Sequence, residues 1–141
     1  HRTSSGLNVA ACDAQKEAGG GEWIWAIGRS GPDEVLRLPE PDRKLVFYIH
    51  GGAFVLCNPA THRAITCNVA HATGALVLAV DFRRPPDYQF PCALDDVLEA
   101  YRFVLSSFPP SGIIVAGESA GGNLSVALCM RLHELGLLMP A

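Results

Sequence analysis

Apolar residues along this chain follow two rhythms. Short unbroken runs, Leu45-Val46-Phe47-Tyr48-Ile49, Ala75 to Val80 and Ile113 to Ala116, read as strands buried on both faces. Between them, apolar residues recur at helical spacing. Leu94, Val97, Leu98, Tyr101, Val104 and Leu105 share one face of a helix opened by Pro91, with Asp95 and Asp96 in its first turns, where carboxylates complement the helix dipole. Thr61 to Thr73, closed by Gly74, predicts an earlier helix. Ser119 to about Leu135 predicts a later one, with Leu124, Leu128, Leu132 and Leu135 along its apolar side. Strand and helix in alternation predict an α/β fold: a mostly parallel sheet with helices on both faces.

The chain before Lys44 reads differently. Residues 1 to 21 are small and polar and end in Gly19-Gly20-Gly21, which predicts a loose lead-in to one domain over 22–141. Glu22 to Ile27 predicts a strand, with Glu34 to Leu38 as a hairpin partner joined through Gly31-Pro32-Asp33. Pro39-Glu40-Pro41-Asp42 breaks the pattern. There is no internal repeat and no low-complexity tract.

Composition narrows the function classes. The 141 residues are 49% hydrophobic and 18% charged, in the range of a folded globular domain. A net charge of −3 gives no case for nucleic acid or anionic lipid as a partner. No apolar run approaches the roughly 20 residues that span a bilayer, and no signal peptide is legible. Five scattered cysteines, Cys12, Cys57, Cys67, Cys92 and Cys129, form no C-x-x-C pair. They read as free thiols of a reducing compartment, giving a cytoplasmic expectation, with Cys57 an inert small hydrophobe. The chain starts at His1 and stops without a turn or cap after the apolar Leu137 to Ala141, which reads as a fragment of a longer protein.

The chemistry concentrates where strands end. Gly117-Glu118-Ser119-Ala120-Gly121 places one serine between a buried strand and a helix, in the G-x-S-x-G pattern of a nucleophile elbow. Glycines on either side relieve the crowding of so tight a turn, and the helix start offers free amides, including that of Ala120, to a developing anion. The plainer alternative is a glycine-rich turn with Ser119 as an ordinary helix cap.

A second stretch, His50-Gly51-Gly52-Ala53-Phe54, follows the Leu45–Ile49 strand. Its glycines let backbone amides approach a ligand, so Gly51, Gly52 and Ala120 are the expected oxyanion-hole donors for acyl transfer. His50 is expected to anchor the loop by hydrogen bonds. The alternative is a flexible strand exit with no ligand. In the third stretch, Asp81 to Pro91, Asp81 with Arg83 is expected to brace a turn stiffened by Pro85-Pro86.

Together these stretches resemble the hormone-sensitive-lipase branch of the α/β-hydrolases. That branch carries His-Gly-Gly-Gly-Phe, then Asp-Tyr-Arg-Leu-Ala-Pro-Glu with a later Phe-Pro, then Gly-Asp-Ser-Ala-Gly-Gly-Asn. Here the matching residues are His50 to Phe54, Asp81 to Asp87 with Phe90-Pro91, and Gly117 to Asn123. The likeness runs from about Lys44 to Leu138, about two-thirds of the chain. Ala53 departs from the third glycine, Arg84-Pro85 from Leu-Ala, and Glu118 from Asp.

The resemblance implies a partial α/β-hydrolase fold, truncated after the nucleophile helix. It implies a serine carboxylesterase with Ser119 as nucleophile, a small-molecule ester as substrate, and no metal or organic cofactor. It also implies a triad ordered Ser, Asp, His, with both partners downstream of the serine. The 22 residues after Ser119 contain no Asp, and their one histidine, His133, lies fourteen residues along the same helix. At ~1.5 Å per residue that is roughly 21 Å away. His62 and His71 read as surface residues. The chain alone is therefore expected to be inactive, and its last strand to be an exposed, association-prone edge.

Two alternatives stay open. One is a ligand-binding homologue without catalysis, as the similar gibberellin receptors are. The other is a peptidase of the prolyl-oligopeptidase type.

Overall fold

The structure, a computed structural model, describes residues 12–16 and 20–141. Five strands form one mixed sheet: β1 (Cys12–Lys16), β2 (Gly21–Ala26), β3 (Leu45–Ile49), β4 (Leu76–Val80) and β5 (Ile113–Gly117). Their order across the sheet is β1-β2-β4-β3-β5. β3 runs parallel to both β4 and β5, and β1 and β2 are antiparallel additions at the far side. Four helices accompany them: α1 (Pro32–Val35), α2 (Arg63–Thr73), α3 (Cys92–Leu105) and α4 (Ala120–Glu134). This is the partial α/β-hydrolase arrangement expected, with the sheet parallel in its centre.

Strand periodicity divides the core in two. Leu45, Phe47 and Ile49 of β3, with Leu76, Leu78 and Val80 of β4, point to the face covered by α3 and α4. They meet Val97, Leu98, Tyr101 and Val104 of α3 and Leu124, Leu128 and Leu132 of α4, the residues whose helical spacing marked them as buried. Leu135 is the exception: it caps α4 and is 41% exposed. Val46, Tyr48, Val77 and Ala79 point to the other face, against Cys67 and Ala70 of α2. α2 closes at Gly74, whose φ of 67° is the left-handed cap that glycine favours. None of the five cysteines is joined in a disulfide.

Before Lys44 two expectations fail. Glu34 to Leu38 is not a strand: Pro32–Val35 is the short helix α1, with Pro at its start and Asp33 and Glu34 in its first turn. Those are helix-opening residues, and they override the turn reading. The partner of β2 lies on its other side in sequence. Cys12–Lys16, inside the lead-in expected to be loose, pairs with β2 in antiparallel register from Cys12 opposite Ala26 to Lys16 opposite Glu22. Residues 1–11 and 17–19 of that lead-in lie outside the described residues.

β5 ends the sheet, with β3 as its one partner among the described residues. Its Ile114 is 56% exposed, so the run read as buried on both faces forms the exposed apolar edge expected of the last strand. The Ala141 amide returns to donate to the Ile113 carbonyl at 2.9 Å. Among the described residues no helix is long and apolar enough to cross a membrane.

Candidate active site

Parallel neighbours deliver their ends to the same edge of a sheet. Ile49, the last residue of β3, lies opposite Gly117, the last of β5. The segments that follow, His50 to Phe54 and Glu118 to Gly121, therefore leave the sheet side by side. Their approach is close enough to require glycine. A Cβ on Gly121 would stand 1.9 Å from the Ile49 carbonyl oxygen, and one on Gly117 2.5 Å from the Gly121 carbonyl oxygen.

Ser119 sits at the apex of this turn. Its backbone is at φ 53° and ψ −121°, a left-handed conformation that a non-glycine residue holds only when its surroundings impose it. The residue is exposed, and although it occupies the cap position of α4 its hydroxyl makes no capping hydrogen bond. The ordinary-cap reading therefore does not hold. Ala120, first residue of α4, is buried and presents an amide with no intrahelical acceptor.

The loop after β3 is wound through positive φ at Gly52 (117°), Ala53 (54°) and Phe54 (65°). Ala53 thus keeps a left-handed conformation at the position where the related motif carries glycine. The Gly52 carbonyl accepts from Val55 at 3.1 Å and Leu56 at 2.9 Å, which closes the loop on itself. A Cβ on Gly52 would stand 2.3 Å from the Leu56 carbonyl oxygen. Half-buried Cys57 packs beneath this turn.

One expected donor is occupied. The Gly51 amide donates to Glu118 Oε1 at 2.7 Å, so it binds the elbow and is not free to hold an oxyanion. Gly52 and Ala120 remain as the available donors of the three. The same Glu118 oxygen lies 3.0 Å from His62 Nε2, while His62 Nδ1 lies 3.0 Å from Thr61 Oγ1. His62, read as a surface residue, has a side chain only 12% exposed and joins this contact. His71 is exposed.

His50 is buried under the loop. Its Nδ1 lies 2.6 Å from the Gly51 carbonyl oxygen, and its ring stacks on Phe82 at 4.4 Å and 12°. Behind it, Asp81 and Arg84 form an ion pair with Nη1 2.5 Å from Oδ1. Arg84, donating at that distance, holds the Asp81 carboxyl down at about 2 against its partial burial. His50 Nε2, 3.8 Å from the carboxylate, lies beyond hydrogen-bond reach of it and adds no hydrogen bond. Arg83 does not brace Asp81 as expected. It forks onto Asp96 of α3 instead, with Nη2 2.7 Å from Oδ1 and its own amide 2.8 Å from Oδ2.

Tyr48 completes the surroundings. Its hydroxyl is buried and lacks a hydrogen-bond partner among the described residues. Burial, and next the charge of Glu118, push its pKa above the ordinary tyrosine value.

Among the described residues Ser119 has no hydrogen-bonded histidine or carboxylate, and His133 lies in the last turn of α4. No group of three or more His, Cys, Asp and Glu residues suited to a metal ion occurs among them.

Comparison with known proteins agrees with this geometry. Residues 46–141 match the family described as alpha/beta hydrolase fold. An acetyl-hydrolase of Streptomyces hygroscopicus is 39% identical over 109 residues, covering 77% of this chain and 36% of the relative. The esterase LipU of Mycobacterium tuberculosis is 40% identical over 95 residues, covering 67% and 32%. A crystal structure of an esterase from the bacterial hormone-sensitive lipase family superposes with a TM-score of 0.76 at 32% identity, covering 95% of this chain and 42% of that one. An esterase/lipase from an uncultured bacterium gives 0.77 at 31%, covering 95% and 43%. The chain thus spans 32–43% of the length of these relatives. The chain belongs to the α/β-hydrolase fold family, on its hormone-sensitive-lipase-like branch.

Proposed function

We propose that the protein carrying this chain is a serine carboxylic-ester hydrolase acting through an acyl-enzyme on Ser119. The observation that carries the reading is the exposed, left-handed Ser119 at the start of α4, beside a loop whose Gly52 amide has no hydrogen-bond acceptor among the described residues. Strain at this residue presents its hydroxyl and keeps it from capping the helix.

Ser119 Oγ attacks the carbonyl carbon of an uncharged ester. The carbonyl oxygen becomes an oxyanion, and the Gly52 and Ala120 amides stabilise it. Collapse expels the alcohol and leaves Ser119 acylated, and water then attacks the acyl group to release the acid. The serine proton passes to a base, which the resemblance places, with its orienting acid, beyond residue 141. Gly51 contributes differently, because its amide secures Glu118 and so joins loop to elbow. One relative's name, acetyl-hydrolase, favours a small acyl group.

The test is hydrolysis of p-nitrophenyl acetate and butyrate by the complete protein. Ser119→Ala should lower turnover by roughly 10⁴-fold or more while the fold is retained. Wild-type turnover in that variant, or no ester hydrolysis by the intact protein, would refute the reading.

A further inference from the structure

We propose that Arg84 is a positioning residue: it fixes the tautomer of His50, and through it the direction in which the Gly52 amide points. The inference rests on the ester-hydrolase reading for its catalytic consequence, but not for the geometry.

The related motif carries leucine where this chain has Arg84. The guanidinium is only partly exposed, at 24% of its side chain. Its Nη1 donates to Asp81 Oδ1 at 2.5 Å and to the Phe82 carbonyl at 2.8 Å, and it lies 3.4 Å from His50 Nε2. A guanidinium nitrogen can only donate. Both Nη1 hydrogens are taken by those two oxygens, so Nη1 meets Nε2 as a positive charge and not as a donor; that charge repels an imidazole N–H, and Nε2 presents its lone pair.

The other ring nitrogen is fixed from the opposite side. Nδ1 is 2.6 Å from the Gly51 carbonyl oxygen, which can only accept, so Nδ1 carries the hydrogen. His50 is 1% exposed, so its ring is shielded from bulk water. The groups facing the ring are Asp81 and Arg84 from the segment after β4, and His62 from the turn before α2, at 5.5 Å between ring centroids. Glu118 from the elbow is engaged with His62 and the Gly51 amide.

The consequence follows from peptide planarity. The Gly51 carbonyl and the Gly52 amide belong to one trans peptide unit, so they point in opposite directions. Drawing the carbonyl down onto His50 turns the Gly52 N–H the opposite way, away from the buried ring. Without Arg84, Nε2 faces the Asp81 carboxylate with no cation between them. The hydrogen is then drawn to Nε2 and the Gly51 carbonyl loses its donor. The Gly52 amide is free to rotate, and a donor that serves the transition state is no longer held in place.

The experiment uses the complete protein with ¹⁵N-labelled imidazoles, in wild type, Arg84→Leu and Arg84→Lys. Wild-type His50 should show a protonated Nδ1 and a bare Nε2. Arg84→Leu should move the hydrogen toward Nε2, lower kcat for p-nitrophenyl acetate by roughly tenfold, and leave KM within about twofold. Affinity for a trifluoromethyl ketone, which forms an oxyanion on the serine, should fall in the same proportion as kcat/KM. Arg84→Lys, which keeps a cation at this place, should retain most of the wild-type kcat. A cleft of about 760 Å³ reaches Arg84, so methylguanidinium should restore turnover to Arg84→Ala.

An Nε2-protonated His50 in the wild type would overturn the proposal. So would an Arg84→Leu protein with unchanged spectrum, kcat and ketone affinity. If the intact protein hydrolyses no ester, the function fails, and the labelled spectrum still decides the role of Arg84. If Arg84→Leu does not fold, the wild-type spectrum and the lysine variant decide it.

Discussion

Glu118 Oε1 accepts a hydrogen bond from the Gly51 amide at 2.7 Å, across 67 positions of sequence. The residue before the nucleophile thereby holds the loop that faces the nucleophile. The loop needs holding, because Gly52, Ala53 and Phe54 all stand at positive φ, where few backbone conformations are available to a side-chain-bearing residue. His62 supports the same carboxylate from the far side at 3.0 Å.

Removing that carboxylate should loosen the loop without touching the serine. Glu118→Ala is expected to lower kcat of the complete protein by up to roughly 10²-fold, since a donor displaced by an ångström loses most of its effect. Glu118→Gln keeps an acceptor for the Gly51 amide and should lose less. Steady-state kinetics on both variants, with folding checked by circular dichroism, make the comparison.

Acid stability should carry the mark of Asp81. Its carboxyl sits at about 2, below its ordinary 3.8, because the Arg84 guanidinium donates to it. A folded-state pKa below the unfolded value means the stabilisation is present in full above about pH 4 and is lost as pH falls toward 2. At 40% side-chain exposure the loss is modest, since water screens the pair. Urea melts between pH 5 and 2 should show a shallower decline for Asp81→Asn than for wild type.

Tyr48 offers the opposite sign. Its buried hydroxyl has no hydrogen-bond partner among the described residues, so it is desolvated without return. Tyr48→Phe should stabilise the complete protein by about 1 kcal/mol, read from the midpoint of a denaturant melt.

The edge of the sheet predicts how the chain behaves alone. β5 has β3 on one side, and its Ile114 is 56% exposed. The isolated 141-residue chain should associate, with a sedimentation coefficient that rises with concentration. Ile114→Lys should shift it toward monomer. A monomer of the unmodified chain with a cooperative melt would contradict this.

The parts of the fold legible in the sequence are those where one rhythm dominates. Phe47 and Tyr48 sit in an unbroken apolar run because both faces of β3 are covered, and Val97, Leu98, Tyr101 and Val104 repeat at helical spacing because α3 covers one of them. Cys12–Lys16 lacks such a rhythm. It is a strand because β2 offers it an edge, and pairing of that kind leaves little trace in local composition. At the site, the serine and the glycine loop were legible as motifs. The partner of the Gly51 amide was not, because Glu118 reaches it only after the chain has folded. Nor can sequence tell adjacent arginines apart: Arg83 turns out to Asp96, and Arg84 turns in to Asp81.

If Ser119 is a nucleophile raised beside an anion cradle, it should react with an electrophile that other serines ignore. The decisive measurement is to treat the complete protein with a fluorophosphonate and locate the adduct by peptide mass spectrometry. A single phosphonyl group on the peptide containing Ser119, absent from Ser119→Ala, is the predicted result. A folded protein with Ser119 unlabelled, or with the label on another residue, would contradict it.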